Sequence, residues 1–184
     1  MSNISVPTRE TVNETNQAIF DNLESKLGFV PNLYATLALS NNALKSYLDL
    51  QGQPTSLRAK EKEAVNLAVS QVNECDYCLA AHTAIGKMSG LTDEQVIELR
   101  QGFASFDSRL DALARFARET TLRRGKPSRE TVDNLLAAGF TQENLVDAVV
   151  LIGDKTVTNY LHGVTEIPVD FPAAPALEGE LAIA

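Results

Sequence analysis

The sequence predicts an all-α protein of seven to nine helices. Three observations carry that expectation. Apolar residues recur at helical spacing through most of the chain, and five glycines (Gly28, Gly90, Gly102, Gly125 and Gly139) fall just past the ends of those periodic stretches. Neither a sustained alternation of two nor an Asn-Gly or Asp-Gly hairpin signal occurs.

The elements follow in order. Thr11 to Lys26 carries Val12, Ile19, Phe20 and Leu23 at near-helical spacing, with Leu27 next and Gly28 as a stop. Pro31 precedes a second stretch, Asn32 to Leu50, with Leu33, Leu37, Leu44, Tyr47 and Leu48; Ser40-Asn41-Asn42 is a break point, which makes it one helix or two. Gln51-Gly52-Gln53-Pro54 is a turn, after which Ser56 is expected to cap a helix over Leu57 to Val72. The next helix runs from Asn73 or Glu74 to Lys87, before Ser89-Gly90. Thr92-Asp93-Glu94-Gln95 is a capping box opening a short helix that ends at Gly102. Asp107 to Arg124 faces Leu110, Leu113, Phe116 and Ala117 inward, Ser128 caps Arg129 to Ala138, and Thr141 to His162 is the last long helix. Phe20 and Tyr160 read as core aromatics and Met88 as packing. His162 reads as a cation suited to a helix's negative end. Residues 1–164 thus form one helical domain, and 165–184, with Pro168, Pro172 and Pro175 and no periodicity, form an extended arm.

Composition narrows the function. The 184 residues carry Lys+Arg 16 against Asp+Glu 24, a net charge of −8. An anionic surface repels phosphate, so neither nucleic acid nor an acidic membrane is an expected partner. No wholly apolar run approaches the roughly 20 residues a bilayer requires, and Met1 to Phe20 shows no export signal. A cytoplasmic protein is the expectation.

One constellation carries chemistry. Both cysteines and one of the two histidines lie in Cys75-Asp76-Tyr77-Cys78-Leu79-Ala80-Ala81-His82. On a helix these three residues, at spacings of three and four, share a face. Side chains lean toward the helix N-terminus, which brings the His82 ring back toward the Cys78 sulfur. Thiols three apart in a helical turn are also within disulfide reach. Three readings stand side by side: a redox dithiol, half of a metal site, or two inert buried thiols. Zinc needs a fourth ligand, and the other histidine is the distant His162. Glu74 and Asp76 flank the motif, and no Lys or Arg lies between Lys62 and Lys87, so a strongly depressed Cys78 pKa is not expected. His82 would then serve as the base, oriented by one of Glu61, Glu63, Asn66 or Ser70 from the preceding helix.

The run of Glu63, eleven residues, then Cys75-x-x-Cys78 and His82 resembles the AhpD-like alkylhydroperoxidases of the carboxymuconolactone decarboxylase superfamily. The likeness is close over about residues 57–90, and the tail Thr165 to Pro172 is similar to peroxidase-related members. The resemblance implies an all-helical fold assembled as a trimer or hexamer of like chains. It also implies a peroxidase that needs no cofactor or metal. Cys78 would be the peroxidatic nucleophile, Cys75 the resolving thiol, and Glu63 with His82 a proton relay. The substrate would be a hydroperoxide and the reductant an external dithiol, in the family sometimes a lipoyl carrier protein. The chain departs from the family at Tyr77, where well-characterised members have a second histidine; a phenol with pKa near 10 is a weaker relay at neutral pH. Two rival readings remain. One is a lactone decarboxylase of the same superfamily, whose chemistry does not call for a dithiol. The other is a non-catalytic, redox-sensing or oligomeric binding protein.

Overall fold

The computed structural model describes residues 4–177 and contains nine α-helices and no strand among them. The last residues of the expected arm, 178–184, and the first three of the chain lie outside the described residues. The fold is all-helical, as the apolar spacing predicts. Two compact units are distinguished among the described residues, one formed by residues 4–54 with Tyr160–Asp170, the other by Thr55–Asn159 with residues 171–177.

In the first unit a 3-10 turn, Arg9–Thr11, leads into α1 (Glu14–Leu27), followed by α2 (Asn32–Leu37) and α3 (Ala43–Gln51). The Asn13 side chain caps α1 by accepting from the Asn16 amide at 2.9 Å. Gly28, at φ 82°, ends the helix in the left-handed conformation a side chain would disfavour. The Asn32–Leu50 stretch is two helices. Buried Asn16 explains the break, since its amide donates to the carbonyls of Ala38 and Ser40 at 3.2 Å each. Phe20, Leu37, Leu44 and Tyr47 fill this core.

The second unit holds α4 (Ala59–Val72), α5 (Asp76–Met88), α6 (Asp93–Gln101), α7 (Ser108–Leu122), α8 (Arg129–Ala137) and α9 (Gln142–Thr165) as far as Asn159. Its organising element is α4, which packs against α5, α6 and α7. Val65, Ala68 and Val69 enter one cluster with Leu113, Phe116, Leu135, Ala148 and Ile152. Ala64 and Leu67 enter a second with Val96, Leu99, Leu110 and Ala114. A helix covered on several sides must also bury its polar residues, and Glu61, Glu63, Asn66 and Ser70 are all buried. The expected caps Thr92 and Ser128 form. Gly102, at φ 82°, lies so close to Arg118 that an added Cβ would clash with that side chain.

Four expectations change. Ser56 does not cap α4; it bonds Asp147 and Asn144, and Arg58 is the cap residue, its amide donating to Glu61 at 2.7 Å. Helix α9 runs three residues past His162, to Thr165. Tyr160 and Met88 are surface residues, 62% and 88% exposed, because their helices turn those faces away from the packing. Phe20 is in the core as expected.

Leu113 is fully buried in the larger cluster. Leu113→Ala should therefore cost about 3 kcal/mol of stability through lost transfer energy and a cavity, read as a lower urea midpoint at unchanged slope.

Candidate active site

The end of α4 sets the first cysteine in place. Its last turn closes as a Schellman motif: the Glu74 amide donates to the Gln71 carbonyl at 3.2 Å and the Cys75 amide to the Ser70 carbonyl at 3.0 Å. The residue forced into the left-handed position is Glu74, at φ 53°, where glycine is the usual occupant. The turn redirects the chain so that α5 starts at Asp76 with Cys75 as its N-cap, two to three residues later than the spacing suggests. The Cys75 sulfur accepts from the Cys78 amide at 3.3 Å, and the two sulfurs face each other at 2.6 Å, both as free thiols. The rest of the motif is helical, and Cys78 and His82 stand one turn apart on α5.

Of the four possible orienting residues on α4, Glu63 is the one that reaches the imidazole. Its Oε2 lies 2.8 Å from His82 Nδ1, while its Oε1 accepts from Asn66 Nδ2 at 3.0 Å. Glu61 is engaged elsewhere, by Arg109 at 2.8 Å, and Ser70 accepts from Asn159 at 3.3 Å. Cys75, Cys78, Glu63 and His82 are all buried. Beside them the Phe171 ring packs edge-on against Tyr77, centroids 5.7 Å apart, and Arg100 donates to the Pro175 carbonyl. Phe171 of the arm thus lies against Tyr77, one of the two residues between the cysteines.

Burial and charge act on each group differently. Burial is the largest influence on His82 and pushes its pKa below 6.5; the Lys155 charge adds to this, and together they outweigh Glu63. His82 is accordingly neutral at pH 7, with Nδ1–H donated to the carboxylate and Nε2 left as an acceptor. Burial is also the largest influence on Glu63 and pushes upward. The His82 contact, the Asn66 hydrogen bond and the Lys155 charge together overcome it and keep the carboxyl below its usual range.

The two thiols diverge. Cys78 is lowered from 9.0 to about 7, chiefly by the hydrogen bond from Cys75; burial opposes the shift, and the Lys155 charge and hydrogen bonds from Asn159 and Thr158 support it. Cys75, which keeps its proton to make that bond, is raised. Cys78 is therefore the thiol that ionises first. The lowering is moderate, in keeping with the expectation that Cys78 is not strongly depressed, and the cation absent from the local sequence is supplied by another helix as a smaller contribution. Lys155, on α9, is buried.

Sequence reading misses the contribution of α9 entirely: Asp154, Lys155, Thr158 and Asn159 face inward there. Asn159 is held by Asn73 at 2.9 Å. A signal exists, since Asp154 and Lys155 are the only charged residues between Asp147 and Glu166. A lone charged pair in an otherwise neutral helical stretch marks a face with a special environment.

The comparisons with known proteins agree with this architecture. A model of the carboxymuconolactone decarboxylase family matches residues 38–119. The fold is similar to a crystal structure of an alkylhydroperoxidase AhpD core, an uncharacterized peroxidase-related protein from Ralstonia eutropha JMP134, with TM-score 0.82, 21% identity and 92% of each chain covered. It is also similar to an uncharacterized peroxidase-related protein from Silicibacter sp. TM1040, with TM-score 0.79, 24% identity and 91% of each chain covered. A cysteine-to-alanine variant of the debrominase Bmp8, in complex with 2,3,4-tribromopyrrole, superposes with TM-score 0.75 at 15% identity, over 92% of this chain and 94% of that one. No curated protein gives a significant sequence match.

The depressed pKa of His82 has a stability consequence. Below 6.5 the unfolded chain takes up a proton that the folded chain refuses, so stability falls as pH drops through that value. The loss can reach about 1.4 kcal/mol per pH unit. In His82→Gln, denaturant titrations between about pH 6.5 and pH 5 should show a shallower decline than in the parent protein. Parallel curves would place the proton uptake elsewhere.

Proposed function

We propose that this chain, an AhpD-like member of the carboxymuconolactone decarboxylase superfamily, is a thiol-dependent peroxidase that reduces hydroperoxides through a Cys75/Cys78 dithiol–disulfide cycle. The observation that carries the reading is the enclosed cluster itself: two sulfurs 2.6 Å apart, and Glu63 2.8 Å from the ring of a histidine one turn beyond Cys78.

The chemistry runs as follows. His82, held by Glu63 through Nδ1, takes the Cys78 proton at Nε2. The thiolate attacks the terminal oxygen of the hydroperoxide; an S–O bond forms as the O–O bond breaks. Cys78 is left as sulfenic acid, and the departing alkoxide takes the proton from His82 to leave as alcohol. Cys75 then attacks the sulfenic sulfur, and its proton leaves with the hydroxyl as water while the disulfide forms. An external dithiol reopens that bond by exchange and is itself oxidised to a disulfide. Two electrons thus pass from the donor dithiol to the peroxide in each turn. Tyr77 is packed against Phe171 and is assigned no step.

The lactone decarboxylase reading gains no support from the paired thiols, for which it has no use. A redox sensor would share the oxidation chemistry, and turnover with an added dithiol separates it from an enzyme.

Peroxide titration of reduced protein followed by mass spectrometry should yield a Cys75–Cys78 bond at one equivalent of oxidant. Cys78→Ser should abolish turnover, and Cys75→Ser should stop at sulfenic acid or its adduct. Full turnover in Cys78→Ser would overturn the assignment of roles. Glu63→Gln, which keeps the side chain's size but removes its charge, should lower kcat roughly a hundredfold with Cys78 still oxidisable.

A further inference from the structure

Helix α9 sends Ala148 and Ile152 into the core, but its next turns bury charged and polar residues while valines of the same helix stay in water, the reverse of the usual amphipathic sense. Val149, Val150 and Val157 are 47%, 49% and 49% exposed, whereas Asp154 and Lys155 are 4% and 3% exposed. Burying a charged pair is costly, and apolar residues on the inner face would avoid that cost. Nor does the pair satisfy itself. Lys155 Nζ stands 4.0 Å from Asp154 Oδ2, beyond hydrogen-bonding reach, and Asp154 Oδ1 has no hydrogen-bond partner among the described residues. The next residues on that inward face, Thr158 and Asn159, are also buried, and Asn159 accepts from Asn73 at 2.9 Å and donates to Ser70 at 3.3 Å, the residue whose carbonyl takes the Cys75 amide. Residues 155, 158 and 159, at helical spacings of three and four, thus form one wall beside the sulfurs.

We propose that Lys155 is the counter-charge of the Cys78 thiolate, a positioning residue that holds the anionic sulfur in the buried interior. The ionisable groups around Cys78 are Cys75 at its own helix end, His82 on α5, Glu63 on α4, and Asp154 and Lys155 on α9. With His82 held neutral, Lys155 is the cation of that set. Its charge does two things: it favours the thiolate, alongside the larger contribution of the Cys75 hydrogen bond, and it opposes protonation of His82. The inference rests on Cys78 being the nucleophile of the proposed cycle but not on the oxidant being a peroxide.

The test is a thiolate titration of the full-length reduced protein by ultraviolet absorbance, with Cys78→Ser as the blank. The parent should show a midpoint near pH 7. Lys155→Met should move it upward by about one to two pH units, and Lys155→Arg should hold it within about half a unit of the parent. The double variant Asp154→Asn with Lys155→Met, which leaves no lone buried charge if the single variant folds poorly, should show the same rise. A midpoint unmoved in the folded Lys155→Met or double variant would overturn the proposal. No peroxide enters the measurement, so a failed peroxidase assay and a failed titration are distinguishable.

Discussion

A carboxylate enclosed away from water beside an imidazole is the constraint on which the rest of the second unit turns. Glu63 is buried because α4 is covered by α5, α6 and α7, and no rotamer on such a helix reaches solvent cheaply. Its two oxygens must then find donors inside, and they find His82 Nδ1 and Asn66 Nδ2. That requirement fixes the rotation of α5 against α4 as firmly as the apolar contacts do. It also fixes the tautomer of His82, and hence which ring nitrogen is left to exchange protons. Because His82 and Cys78 share a face of α5, orienting one sets the direction of the other. The apolar clusters supply the enclosure, and the polar pair gives it a unique register.

The thiol pair extends the same logic. Enclosure alone would push both thiols toward the neutral form, as burial does to each of them. The site escapes by making the two unequal. Cys75 sits at the helix mouth, keeps its proton and donates it, while Cys78 receives that bond. Identical side chains three positions apart take opposite roles because one lies on a turn and the other within a helix.

How much of this could be read from the chain depended on distance along it. Helix ends were legible where the determinants are local: Asn16 apart, the glycine stops, the Thr92 box and the Ser128 cap involve residues within a turn of each other. The motif from Cys75 to His82 was legible for the same reason. Glu63 was legible as one of four possible orienting residues, and the family resemblance singled it out, since spacing alone does not say which polar residue of a buried helix meets the ring. Ser56 failed as a cap because Asp147 and Asn144, far along the chain, claim its hydroxyl. Tyr160 looked like core because aromatic residues usually are, and only tertiary packing says which face of α9 is turned out. Lys155 was invisible because it lies on that same inverted helix, and a rule that puts charges outward assigns its face the wrong environment.

The N-cap position of Cys75 bears on the energetics of electron transfer. The positive end of α5 points at the sulfurs, and that field favours the anionic dithiol over the uncharged disulfide. Every contact that steadies the anion makes the joined form comparatively less stable, which raises the reduction potential of the couple. A helix that began a full turn or more earlier would carry both sulfurs past its first turn, where this field falls off. A disulfide between two sulfurs at a helix mouth is in this sense easier to reduce than one set deeper in a helix.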